Sequence, residues 1–109
     1  MAGRLARGEI WQYRFAKPDK RRPVVVITRD EVIPLLTTVM VAPVTSTIRG
    51  APSEVLVGPA QGLKHDSVVH LDNIQTVPQA RLARYVGRLS PLQLRRVCRA
   101  LSIAVGCDG

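Results

Sequence analysis

The stretch RRPVVVIT, Arg21 to Thr28, decides how the rest of the chain is read. Three valines and an isoleucine follow one another with no polar alternation. β-Branched side chains suit a pleated surface, and an unbroken apolar run predicts a strand covered on both faces. Pro23 stands at its entrance, where a missing N–H is tolerated. Upstream, GEIWQYRF, Gly8 to Phe15, sets Trp11, Tyr13 and Phe15 at period two, which predicts another strand. Between them KPDKRR, Lys17 to Arg22, reads as a basic loop. Downstream, Arg29 to Leu36 has room for one helical turn interrupted by Pro34. Thr37 to Val44 reads as a second buried strand. Ser53–Val57, Ser67–Leu71, Asn73–Val77 and Leu82–Leu89 read as further short strands, with GPAQG, Gly58 to Gly62, as turn material.

The C-terminus changes period. Ser90-Pro91-Leu92-Gln93 has the form of a capping box, with Ser at N-cap, Pro at N1 and Gln at N3. Leu94, Val97, Cys98, Leu101 and Val105 then fall on one helical stripe, which reads as core or subunit interface. Gly106 is placed to stop the helix. The expected fold is mainly β with a C-terminal α-helix over 90–105, an α+β class. It is a small, strongly curved β-barrel or sandwich with the helix packed on it.

The 109 residues fit a single domain, 1–109, and 46% hydrophobic residues suffice for a core. Sixteen Lys and Arg against eight Asp and Glu give a net charge of +8. That balance points to nucleic acid, an anionic surface or an acidic protein. Residues 1–7 read as a basic, flexible N-terminus without the apolar region of a secretory signal. No apolar run approaches the ~18–20 residues of a membrane span. Cys98 and Cys107 fit buried thiols in a reducing cytoplasm better than a disulfide framework. Together with His65 and His70 they show no metal-ligand spacing, so no metal is expected.

No phosphate loop, nucleophile elbow or dinucleotide fingerprint is present. The remaining kit is Arg, Thr, Ser, Asp and His. One reaction suits it, because RNA carries its own nucleophile, the 2′-OH, beside the scissile phosphate. A protein need only align that hydroxyl, hold the charge that develops on phosphorus and manage protons. The arginine fork binds phosphate oxygens in pairs, and a Thr or Ser hydroxyl can donate to another.

Five blocks now stand in order: RGEIW (Arg7–Trp11), RRPVVVIT (Arg21–Thr28), VAPVTSTIRGAPSEV (Val41–Val55), DSVVHLDNIQTV (Asp66–Val77) and RYVGRLSPLQL (Arg84–Leu94). Together they resemble the MazF/PemK family of toxin endoribonucleases over nearly the whole chain. The resemblance implies an SH3-like barrel with a C-terminal helix, a homodimer, and metal- and cofactor-free cleavage of single-stranded mRNA to 2′,3′-cyclic phosphate and 5′-OH ends. It also implies a cognate antitoxin, often with an acidic tail, that occupies the RNA groove. By position, the family's catalytic Arg falls on Arg22 and its catalytic Thr on Thr45. Asp72 and Asn73 stand where the family often has an acidic-Gln pair, so base-edge contacts differ. Ser46, Arg49, Lys17, Lys20 and Arg21 are further candidates for RNA contact. The loop YRFAKPDKRR departs from the family: it is shorter, and Arg14 stands near a usual Asp. That loop helps choose the RNA sequence in the family, so no target sequence carries over.

Each residue also has a plainer reading. Arg22 can be a solvated loop charge, Thr45 a strand-end hydroxyl, and the KPDKRR cations a solvated run. His65 and His70 offer a rival acid–base pair, although His70 reads as packed or exposed by strand alternation. Trp11 reads as a wall residue rather than a stacking platform. A non-catalytic nucleic-acid-binding barrel and a topoisomerase-poisoning toxin of the same fold stay open. Catalysis requires Arg22 and Thr45 to meet in one groove, and a binding module does not.

Overall fold

The computed structural model describes residues 5–14 and 21–107. The strands are β1 (Glu9–Arg14), β2 (Arg21–Val26), β3 (Thr38–Thr45), β4 (Glu54–Val57), β5 (Ser67–His70), β6 (Gln75–Pro78) and β7 (Leu82–Arg88). Helix α1 (Pro91–Ala104) follows them. The expected helical turn between β2 and β3 is a short 3-10 turn, Ile33–Leu35, with Pro34 inside it. The strands make one antiparallel sheet in the order β4-β5-β3-β2-β1-β7, with β6 also paired to β3.

β2 is covered on both faces, as its valine run predicts. Val24 and Val26 enter one core with Tyr13, Val39 and Val41. Val25 and Ile27 enter the other with Ile10, Ala42, Val69 and Val97. Burying each such side chain stabilises the fold by roughly 1.5–3 kcal/mol, which is why the curved sheet holds two cores in so short a chain.

The expected barrel is not closed. Among the described residues β4 and β7, the ends of the sheet, do not pair with each other. Instead α1 packs over β4, and the 3-10 turn Pro59–Gln61 packs against β7. That turn meets β7 backbone to backbone. A methyl group added at Gly87 would lie 1.9 Å from the Gln61 carbonyl oxygen, so only glycine permits the approach.

Two prolines inside the sheet shape its open end. The Ile27 N–H donates to the Met40 carbonyl at 2.9 Å. By the alternation of an antiparallel ladder, Val25 and Pro23 also face β3. Pro23 has no N–H to give, and the β2–β3 ladder ends at Val24 opposite Pro43. Pro43 then turns its nitrogen to the far edge of β3. There it falls between β6, which pairs as far as Val41, and β5, which pairs from Val44. Each proline sits where a backbone N–H would otherwise face a neighbouring strand.

Helix α1 begins as its sequence predicts. Ser90 Oγ accepts from the Gln93 N–H at 3.1 Å, and Gln93 Oε1 accepts from the Ser90 N–H at 2.9 Å. Its buried face differs from the expected stripe. Val97 and Ala100 are buried, with Leu94, Leu101 and Ala104 beside them, whereas Val105 lies past the helix end and is exposed. The two alanines, Ala100 buried and Ala104 packed on the same core, lie outside a stripe of large residues. Gly106 at φ 74° ends the helix, and the Cys107 N–H donates to the Ser102 carbonyl. Cys107 is therefore an exposed thiol rather than a buried one, and Cys98 is half-buried. Leu5 to Arg7, read as flexible from sequence, are held: Leu5 packs on a core, and the Arg7 N–H donates to Asp30 Oδ1 at 2.7 Å.

Candidate active site

Arg21 and Arg22 of β2, Thr45 of β3 and Arg84 of β7 line the main groove, a cavity of about 710 Å³. The β2–β3 ladder ends at Val24 and Pro43, and Arg22 and Thr45 lie two residues further out on their strands. Both residues line this groove, and both also line a smaller neighbouring cavity of about 240 Å³. Arg22 and Thr45 therefore stand at the boundary between two recesses.

The Thr45 hydroxyl is oriented. Its oxygen accepts from the Thr47 N–H at 3.1 Å, a local turn that uses the acceptor side and leaves the O–H proton free to donate. The loop that follows is anchored by Glu54, whose Oε1 accepts from the N–H groups of Arg49 and Gly50 at 3.1 and 2.9 Å. The plain reading of Thr45 as a strand-end hydroxyl is thus compatible with a role as donor. Arg22 is exposed at the strand end, with its charge on the groove.

The other candidates divide. Arg21 and Ser46 line the main groove. Arg49 and Asn73 line the smaller cavity. Asp72 lines neither, because its carboxylate accepts from the Ser53 hydroxyl in a short hydrogen bond. That bond fastens the 3-10 turn Leu71–Asn73, and Asp72 itself is exposed. Lys17 and Lys20 lie outside the described residues.

Several groove residues were not singled out from sequence. Lys64 and Arg84 add two cations to the wall. Tyr85 is 48% exposed, lines the groove and meets Trp11 edge to face at 5.7 Å. Trp11 is itself packed on a core, with its indole N–H donated to Glu9 Oε1, so it is the wall and Tyr85 the presented ring. The two histidines separate: His65 lines the main groove, and His70, half-buried on β5, lines the smaller cavity. His70 Nδ1 is buried without a hydrogen-bond partner among the described residues. An unpaired buried polar atom costs roughly 1–3 kcal/mol. Only the pairing of Arg84 and Tyr85 with β1, and of His70 with β4, reveals these positions.

A protein of Mycobacterium tuberculosis named "Probable endoribonuclease MazF5" is 45% identical over 104 residues, 94% of each chain. The M. tuberculosis endoribonuclease MazF3 is 44% identical over 94 residues, 86% of this chain and 91% of its own. The solved M. tuberculosis toxin MazF-mt6 superposes with a TM-score of 0.85 at 40% identity, covering 93% of this chain and 99% of its own. A mycobacterial endoribonuclease solved with its cognate antitoxin is 24% identical with a TM-score of 0.85, covering 96% of this chain and 98% of its own, a likeness of fold. Residues 6–105 match the family described as PemK-like, MazF-like toxin of type II toxin–antitoxin system, and the chain belongs to that family.

Proposed function

We propose that this toxin is a sequence-specific endoribonuclease that cleaves single-stranded RNA, mRNA above all, without metal or cofactor. The observation that carries the reading is that Arg22 and Thr45 both line one groove. In the reaction the RNA 2′-oxygen attacks the adjacent phosphorus and loses its proton. The bond to the 5′-oxygen breaks, and that oxygen gains a proton as it leaves. A 2′,3′-cyclic phosphate and a 5′-OH result. The Arg22 guanidinium holds the charge that develops on the non-bridging oxygens. Thr45 donates its hydroxyl proton to one of them. Arg21, Arg84 and Lys64 raise the local concentration of the polyanion.

The direct test incubates the protein with defined single-stranded RNA and excess EDTA. Discrete cuts with cyclic-phosphate ends are expected. Thr45→Ala should lower the single-turnover rate about 10²- to 10³-fold, as removal of one oxyanion donor does. A folded Thr45→Ala protein that cuts at the wild-type rate would remove Thr45 from the mechanism. A non-catalytic binding module would retain RNA and leave it whole.

Tyr85 supplies a stacking surface. Base–aromatic stacking contributes about 1–3 kcal/mol per base, so Tyr85→Ala should weaken binding of a non-cleavable RNA about 5- to 150-fold. Tyr85→Phe should bind like wild type. Equal affinity for all three proteins in a fluorescence titration would show that no base stacks there.

The working state proposed is a cytoplasmic homodimer restrained by a cognate antitoxin with an acidic segment. Exposed Leu35, Leu36 and Met40 favour a further copy, and the net charge of +8 favours an acidic partner. A solution mass of one 11.9 kDa chain would count against the dimer. No helix among the described residues is long and apolar enough to cross a membrane.

A further inference from the structure

We infer that the cleft between β4 and helix α1 takes an extended, acidic peptide segment of a protein partner, which adds to the edge of β4 as a short parallel strand. The cleft is a cavity of about 290 Å³, and only Glu54 lines both it and a recess at Arg22 and Thr45. Such docking is independent of how the main groove acts on RNA.

The backbone of β4 offers the first contact. β4 is the last strand at its end of the sheet. The Ser53 carbonyl accepts from the Leu71 N–H at 3.0 Å, so that carbonyl faces the β5 side. Strand alternation then turns the backbone groups of Glu54 and Leu56 outward. In agreement, the Leu56 carbonyl accepts from Gln93 Nε2 of α1 at 3.3 Å. The Glu54 N–H donates to the Ala51 carbonyl at 3.0 Å. The Glu54 carbonyl and the Leu56 N–H are left without partners among the described residues. They flank Val55, and one residue of a parallel strand engages such a pair with its own N–H and C=O.

Helix α1 supplies the charge. Arg96, Arg99, Ala100 and Ile103 line the cleft at the spacing of one helical face. Ala100 is buried and, with Val55, gives the cleft an apolar floor. Arg96 and Arg99 are exposed, and neither side chain has a hydrogen bond or ion pair among the described residues. Two guanidiniums one turn apart repel each other, and a carboxylate from outside relieves that repulsion through paired N–H bonds. Glu54, the one acid lining the cleft, is already committed, because its Oε1 accepts from the N–H groups of Arg49 and Gly50. A peptide fits these walls better than RNA does. No aromatic ring lines the cleft to stack a base, whereas Leu56, 64% exposed, offers an incoming aliphatic side chain a neighbour. With four residues in β4 the added strand is short and the contact transient.

The test pans a displayed library of random octapeptides on the wild-type protein and on Arg96→Glu/Arg99→Glu. Wild type should select peptides that set Asp or Glu beside aliphatic residues. The reversed protein keeps a positive net charge, yet it should select Lys- and Arg-bearing peptides, because the choice is local. Arg96→Gln with Arg99→Gln should weaken the selected acidic peptides at least about tenfold in fluorescence anisotropy. Leu56→Pro removes the outward N–H, leaves the β5 ladder intact and should weaken them about 3- to 10-fold. Where that variant melts early, the exposed arginines carry the test. Selection of the same peptides by wild type and the reversed protein would overturn the inference. So would no selection by wild type, which would leave the arginines as a guard of the sheet edge. Displacement of the selected peptides by 2′-O-methyl RNA would place them in the main groove and overturn it equally.

Discussion

Arg22→Ala is expected to lower the single-turnover rate of RNA cleavage by roughly 10³- to 10⁵-fold, the range found when an arginine that stabilises phosphoryl-transfer charge is removed. The effect should exceed that of Thr45→Ala because a full charge is lost rather than one neutral donor. Arg22 is exposed at the end of β2, so the variant should fold, with stability within about 0.5 kcal/mol of wild type. Arg22→Lys keeps the charge and loses the fork that grips two oxygens, and it should fall between the two. The measurement is cleavage of a defined oligonucleotide with enzyme in excess, beside a thermal melt. A folded Arg22→Ala protein that cuts within tenfold of wild type would refute the assigned role.

Gly87→Ala should have the largest effect on stability. The added methyl would meet the Gln61 carbonyl oxygen at 1.9 Å and the Gln61 carbonyl carbon at 2.8 Å, both backbone atoms of a packed turn. Neither can rotate away as a side chain would. Overpacking alone costs about 1–3 kcal/mol, and moving a backbone segment adds to it. A loss above about 3 kcal/mol is expected, lowering Tm by roughly 10–20 °C in a domain of this size. Gly50→Ala is the contrast. Gly50 has φ 77° and nothing within 4 Å, so it bears only left-handed strain, about 1–2 kcal/mol. Equal melting shifts for the two variants would show that the turn yields freely. Because this turn leads into Leu63, Lys64 and His65 of the groove wall, Gly87→Ala should also weaken RNA binding below the melt.

The strands that hold the core are plain in the sequence because their signals are local. The valine run of β2, the period-two aromatics of β1 and the capping box of α1 each specify their element within a few residues. The Arg22–Thr45 pairing is a family likeness in the sequence. The structure adds that both side chains line one groove. What is not legible depends on contacts between distant segments. Closure of the sheet could not be judged, since a helix and a turn cover the edges that a barrel would pair. Asp72 has the same sequence whether it meets a base or Ser53. Tyr85 and His70 gain meaning only when β1 and β4 bring them beside the groove. Val105 carries the right period for the helix stripe, yet the helix stops one residue before it.

The groove that Arg22 and Thr45 share also bears on how the proposed endoribonuclease is controlled. The β2–β3 ladder stops beside it, where Pro23 has no N–H to give, a covalent feature that no ligand reverses. Under the proposed function, a molecule that fills this groove competes directly with RNA, and its restraint follows that molecule's concentration and lifetime.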